Sequence, residues 1–316
     1  MLLTGAVGAA GVLPRPASAQ DYPSRPISIV VPYGPGSSTD NMARPIAQGL
    51  QEILGQSVVV DNRGGASGVI GTQFAARAKP DGYTILAGSS TTLAANLGLF
   101  RSLPYDPRKD FAPVAGVAST SMMFVTRADS AAKDMRGFLE HAARQADPVA
   151  IAHGSASAQV ALALFRRASG ARCAAVPYRD TPQTIADLLG GRVEAGIVDV
   201  GNGVPHIKAG RLNALAVSAA TRSAFAPDTP TLGEFWPGTE LVTWIGLVAP
   251  AGTPAPIVAR LERALAAVVA KPETAERFAK IGTEIDHVGH AELARRIERD
   301  QSQWLELIKL AGIEPQ

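Results

Sequence analysis

A chain of 316 residues, 46% hydrophobic and 18% charged, is long enough to bury a core in each of two domains, and this composition excludes a disordered polar protein. The formal net charge of +2, with Lys and Arg thinly spread, offers no basic stripe for nucleic acid or an anionic membrane surface. Cys173 is the single cysteine, which excludes an internal disulfide and a thiolate metal cluster.

The first segment, from Leu2 to Leu13, is small and apolar and leads to Ala17-Ser18-Ala19 ahead of Gln20. Residues 1–20 therefore read as a secretory signal with an A-x-A cleavage site. The signal lacks a basic n-region, so its true start is expected upstream of Met1. No cysteine lies near the cleavage site, which argues against a lipid anchor. Beyond this segment no apolar run reaches the roughly 18 to 20 residues that span a bilayer.

Short apolar runs then alternate with helical patterns. Strands are predicted at 27–33, 57–62, 83–89, 121–127, 149–155, 174–178, 195–200, 212–218 and 244–250. Most are continuously apolar rather than alternating, which predicts parallel strands covered on both faces. Helices are predicted at about 39–53, 67–78, 134–146, 156–170 and 181–190, with Pro45 a tolerated kink in the first. The repeated order of strand, polar loop and helix defines an α/β protein. After Pro250 the pattern becomes almost purely helical, in three amphipathic segments. His287 and His290 form a close pair without a third ligand and read as solvated surface rather than a zinc site.

The loops after the strands carry the functional signal. In "VVPYGPGSSTDNMARPIAQGL" the turn is not a phosphate loop, because Gly36 is followed by Ser37, Ser38 and Thr39 with no Lys. Nor is it a hydrolase elbow, since Gly36-Ser37-Ser38-Thr39-Asp40 lacks the closing Gly. A dinucleotide fingerprint fails as well, for want of a third Gly. What remains is a strand end, a permissive turn and the free amides of a helix N-terminus among hydroxyls, a place that favours an anion. Asp40 there reads better as a helix residue complementing the dipole than as a catalytic acid, and each hydroxyl reads equally as a cap or a ligand contact. The construction recurs in "VVVDNRGGASGVIGTQF", in "ILAGSSTTLAAN" and in "IAHGSASAQVALALF". Several loops rich in amides and hydroxyls and poor in titratable groups describe recognition rather than acid–base chemistry, and in open α/β sheets such loops converge outside the strands' carboxyl ends.

Six blocks, among them "YPSRPISIVVPYGPGSSTD", "GQSVVVDNRGGASGVIGTQFAARAKPDGYTILAGSSTT", "VPYRDTPQTIADLLGGRVEAGIVD" and "WIGLVAPAGTPAPIVARL", closely resemble the periplasmic substrate-binding proteins of tripartite tricarboxylate transporters, the Bug family. The likeness spans residues 22–313. It implies a type II periplasmic binding protein fold, two α/β lobes with a two-crossing hinge, closing on a small carboxylate. Lobe one would be 22–118 plus 244–316 and lobe two 119–243. Position by position, the resemblance assigns Ser37, Ser38, Thr39 and Asp40, then Ala66 and Ser67, then Ser89, Ser90 and Thr91 to lobe one's share of the site. Lobe two would add Ser155, Ser157, Tyr178, Arg179, Thr181 and Asp199. Tyr178 reads equally as a packing residue or a ligand wall, Trp244 rather as packing, Arg179 as surface charge or carboxylate partner, Asp199 as a cap or a site residue, and Arg63 as a brace for its loop. The family usually has a Gly pair where this chain has Gly36-Ser37, and "NRPGAGG" where it has Asn62-Arg63-Gly64-Gly65-Ala66-Ser67-Gly68; both departures add a hydroxyl.

The expected function is that of a periplasmic receptor delivering a dicarboxylate, tricarboxylate, aromatic or amino acid to membrane transporter subunits. A monomer is expected, without enzymatic activity, cofactor, metal or nucleic-acid partner. The alternatives are a sensor presenting its bound state to a membrane signalling protein, and an α/β enzyme, for which the chain offers no nucleophile with a base. A LysR-type effector domain is disfavoured by the signal-like segment.

Overall fold

The computed structural model describes residues 22–316, and the signal assigned to residues 1–20 lies outside the described residues. Three parallel strands begin the first lobe: β1 (Ile27–Val31) pairs on one side with β2 (Val58–Asn62) and on the other with β3 (Thr84–Ser89). Every residue of β1 except Ser28 is buried, as a strand covered on both faces requires. Helix α1 (Ser38–Leu54) follows β1. It starts where the Ser37 hydroxyl accepts a hydrogen bond from the Asp40 amide and stops at Gly55, whose φ of 68° suits a left-handed cap. The helix runs through Pro45. Helix α2 (Val69–Ala76) follows β2, and a turn at Thr91–Ala95 leads from β3 into the short α3 (Asn96–Leu99).

Strand β4 (Phe111–Arg127) holds the molecule together. Its first half pairs antiparallel with β9 (Val242–Pro250) in the first sheet, and its second half pairs with β7 (Ala195–Asp199) and β8 (Leu212–Val217) in the second. The second sheet is completed by β5 (Val149–His153) between β7 and β6 (Cys173–Pro177), all parallel. Helices α4 (Met135–Arg144), α5 (Ala156–Ser169), α6 (Thr181–Leu189) and α7 (Val200–Lys208) belong to this lobe. The chain crosses once along β4 and returns between β8 and β9, the two crossings of the expected two-lobed fold.

The C-terminal part contains α8 (Ala255–Val269), α9 (Pro272–Lys280), β10 (Glu284–Gly289) and α10 (His290–Leu310). Helix α8 closes the first lobe's core, where Leu261, Leu265 and Val268 meet Ile46 and Leu50 of α1. Helix α10 serves both lobes. Its Leu293 and Ile297 pack with Trp244, whereas Trp304 and Ile308 join Phe124, Phe165 and Ile197 in the second lobe's core. Ala94, Ala95 and Leu99 pack into that same core, although they fall within the span expected for lobe one.

Three sequence expectations need correction. The sheets are mixed rather than parallel: β4, β8, β9 and β10 pair antiparallel. Continuous apolar runs report two-sided burial, and burial alone does not fix strand direction. The helical C-terminal part is interrupted by β10, whose residues are all exposed or half-buried and carry no apolar run. Helix α7 was absent from the sequence reading because Gly201, Gly203 and Pro205 lower its helix propensity.

Candidate functional site

The carboxyl ends of β1, β3, β5 and β7 face a cavity of about 450 Å³, counting its mouth. The first lobe lines it with Tyr33, Ser37, Ser38 and Thr39 from the β1–α1 turn, with Ser89, Ser90 and Thr91 after β3, and with Thr243, Trp244 and Ile245 of β9. Thr120 comes from the crossing region of β4. The second lobe adds Gly154, Ser155 and Ser157 before and in α5, Asp180 and Thr181 at the start of α6, and Asp199 before α7. No lysine, arginine or histidine is among these lining residues.

The hydroxyls divide into two groups. Several already have partners: Ser37 caps α1, Ser155 accepts from the Ala158 amide at 3.2 Å, and Tyr33 Oη shares a hydrogen bond of 3.1 Å with Ser89 Oγ. Burial pushes the Tyr33 phenol up to about 12, so it stays a neutral donor. Thr91 Oγ1 and Ser157 Oγ lie 2.9 Å apart and join the two lobes. By contrast, Ser38 Oγ, Ser90 Oγ and Thr120 Oγ1 are buried and have no hydrogen-bond partner. Buried hydroxyls are almost always satisfied, so three orphans on one cavity mark where an acceptor belongs.

Two carboxylates complete the wall. Asp180 caps α6 through the Gln183 amide at 3.0 Å. Asp199 precedes α7 without a side-chain cap bond and accepts from Thr181 Oγ1, at 3.1 Å. Burial raises its carboxyl from 3.8 to about 6, the Thr181 hydrogen bond offsetting this only in part.

Ten of the fifteen sequence-assigned residues lie on the cavity: Ser37, Ser38, Thr39, Ser89, Ser90, Thr91, Ser155, Ser157, Thr181 and Asp199. The other five stand off it. Asp40 is spent bracing the turn, one oxygen accepting from the Gly36 amide at 2.9 Å and the other from Asn62 Nδ2 at 3.0 Å, with Arg44 across both. Ala66 and Ser67 sit in a tight turn at φ of 48° and 53°, and the Ser67 carbonyl accepts from Asn96. Tyr178 packs against the second lobe's core with its hydroxyl toward Asp187, and Arg179 is exposed. Arg63 stacks over Phe74 at 3.5 Å and pairs with Asp61, which braces its loop. Sequence reasoning did not assign Tyr33, Thr120, Gly154, Asp180, Thr243 or Ile245. Tyr33 and Asp180 border assigned loops, so adjacency could have found them.

Fold and cavity together define a two-lobed solute-binding protein that holds its ligand between its lobes. The chain belongs to the tripartite tricarboxylate transporter family of receptors, whose family model matches residues 42–313. Protein BugT of Bordetella pertussis is 37% identical over 280 residues, covering 87% of this chain and 86% of BugT. Among solved structures, the periplasmic binding protein BugD superposes with a TM-score of 0.88 at 34% identity, covering 93% of this chain and 100% of BugD. Rhodopseudomonas palustris Rpa4515 with adipate gives a TM-score of 0.90 at 31% identity, covering 94% and 100% of the two chains. MatC of the same organism with bound malate gives 0.85 at 30%, covering 91% and 100%.

Proposed function

We propose that this chain is a periplasmic receptor that captures a small dicarboxylate between its lobes, residues 22–118 plus 244–316 and residues 119–243, and passes it to the membrane subunits of a tripartite tricarboxylate transporter. The observation that carries this reading is the set of orphaned hydroxyls, Ser38, Ser90 and Thr120, on a cavity fed by the amino ends of α1, α5 and α6. Oriented hydroxyls and helix amides hold a carboxylate without a countercharge. The adipate and malate of the two similar structures support a dicarboxylate. The binding residues proposed are the ten assigned ones on the cavity together with Tyr33, Thr120, Thr243 and Trp244. In this reading the ligand is bound and released unchanged, which the match to a family of receptors and to a periplasmic binding protein supports.

A thermal-shift screen with adipate, malate, citrate, aromatic acids and amino acids tests the reading. A ligand at about 100 times its dissociation constant adds roughly 2.7 kcal/mol of stability, so a dicarboxylate should raise the melting temperature by several degrees. No shift with any carboxylate contradicts the proposal, and so does release of a chemically altered acid.

A further inference from the structure

The cavity contains a contradiction in charge. It is lined by two carboxylates and by no lysine, arginine or histidine, yet the proposed ligand is itself an acid. Bringing like charges together in a closed, poorly hydrated site is unfavourable unless one of them is neutralised.

The two carboxylates are held differently. Asp180 is engaged as the cap of α6, through an amide at 3.0 Å and beside the positive end of the helix dipole. Asp199 occupies the corresponding position before α7 but makes no cap bond, and a single threonine hydroxyl is its only side-chain donor. The titratable and charged groups on the surrounding elements do not supply a countercharge. Tyr33 after β1 and Asp180 before α6 share the cavity with Asp199, and neither is cationic. His153 at the end of β5 is off the cavity wall and held toward its neutral form by burial. Asp187 of α6 pairs with Arg192, and Asp40 of α1 with Arg44. Glu52 of α1, Arg127 of β4, Arg166 and Arg167 of α5, the exposed Arg179 ahead of α6, and His206 and Lys208 of α7 are also absent from the wall, as is Asp300, which meets Trp244 of β9 from α10.

We propose that Asp199 meets the bound dicarboxylate as a neutral carboxylic acid: it takes one proton from solvent as the ligand enters and donates it as a hydrogen bond to a ligand carboxylate. When the ligand leaves, the Asp199 O–H bond breaks again and the proton returns to solvent or buffer, so the binding cycle leaves protein and ligand chemically unchanged. A neutral acid removes the repulsion and supplies a donor where the second lobe otherwise offers only hydroxyls and amides. Burial has already moved the Asp199 carboxyl partway toward this state, and an approaching anion moves it further. The inference rests on the dicarboxylate reading of the site and specifies the protonation state that reading requires.

The test is titration calorimetry with adipate, malate and aspartate in buffers of different ionisation enthalpy, from about pH 6.5 upward, where the side-chain acids of these ligands are ionised. The wild-type protein should take up close to one proton per bound dicarboxylate, and affinity should fall toward tenfold per pH unit above about pH 7. Asp199→Asn keeps a donor but cannot titrate. It should bind the same dicarboxylate with no proton uptake and an affinity independent of pH. Dicarboxylate binding without proton uptake by the wild type overturns the inference and leaves the carboxylate reading intact. Tight binding of aspartate alone, without proton uptake and lost in Asp199→Asn, also overturns it, because the carboxylate would then be pairing with an ammonium. No binding of any of the three acids at any pH overturns the dicarboxylate reading and this inference with it.

Discussion

Ser37 and Ser38 are neighbours with the same side chain and different work. Ser37 caps α1, so replacing it with Ala should cost about 1 kcal/mol of stability. The Ser38 hydroxyl is buried without a partner, as is that of Ser90, and deleting an unsatisfied group costs the unliganded fold little. Ser38→Ala combined with Ser90→Ala should therefore melt within a degree or two of wild type while each lost contact weakens dicarboxylate binding by about 1.5 to 3 kcal/mol. Melting curves and calorimetric titration of the double variant check both halves; undiminished affinity would show that these hydroxyls face away from the ligand. Asp199 predicts a pH dependence of stability. Its carboxyl titrates near 6 when folded and near 3.8 when unfolded, so between these values the native state holds a proton that the unfolded chain has lost. Stability contributed at this position falls as pH rises through that window. Asp199→Asn should match wild type below about pH 4 and melt higher above about pH 6, and equal melting temperatures at pH 7 would contradict the assignment. The loop hydroxyls were legible in the sequence because they follow apolar strands and precede helices. Thr120 and Thr243 were not, since each lies one residue ahead of the apolar run that marks its strand in the sequence and follows no Gly-rich loop. Trp244 reads in the sequence as a packing residue; it packs on Leu293 and Ile297 and also lines the cavity.

At the scale of elements, glycines set how closely the loops converge. A methyl group added to Gly154 would fall on the backbone of Asp180 and Thr181, so α5 and α6 can start side by side only because residue 154 has no side chain. Backbone cannot step aside cheaply, and overpacking of this kind costs about 1 to 3 kcal/mol. Gly154→Ala should lower the melting temperature by several degrees and weaken binding, since Ser155, Ser157 and Thr181 would all be displaced; an unchanged melting curve would show that the two loops are compliant. The sequence showed most of the strand and helix order, because nearly every buried strand is a continuous apolar run. It hid β10, an edge strand whose Glu284, Asp286 and His287 look like a polar connection. His287 is nevertheless tied down, with Nδ1 hydrogen-bonded 2.9 Å from the Gly116 carbonyl oxygen. Strand direction was hidden too, because pairing partners far apart in the chain decide it.

At the scale of the whole molecule, the lobes touch beyond the cavity. Asn202 of α7 donates from Nδ2 to the Gly36 carbonyl at 2.9 Å, and Gly201 packs against the corner between α9 and β10. A Cβ on residue 201 would lie 2.6 Å from the Ile281 carbonyl oxygen. Alanine is the better helix former, by up to about 1 kcal/mol, so Gly201→Ala should not destabilise the separated lobes. It should wedge them apart instead. The expected outcome is an unliganded melting temperature at or above that of wild type together with reduced affinity, read by melting curves and calorimetry. A fall in both would mean that residue 201 belongs to the fold rather than to closure.

The central claim is that a carboxylate is held between two lobes by neutral donors, with no fixed cation drawing it in. Exposed charges act over about a Debye length, roughly 10 Å at 0.1 M salt, whereas buried hydroxyls and amides are scarcely screened. The most direct measurement is calorimetric affinity for the dicarboxylate that gives the largest thermal shift, at fixed pH, first in dilute buffer and then in high salt. The neutral cradle predicts affinities within a few-fold of each other. A loss of about a hundredfold, equivalent to roughly 2.7 kcal/mol, would mean that the ligand is held by screened charges outside the cavity, and would contradict the account.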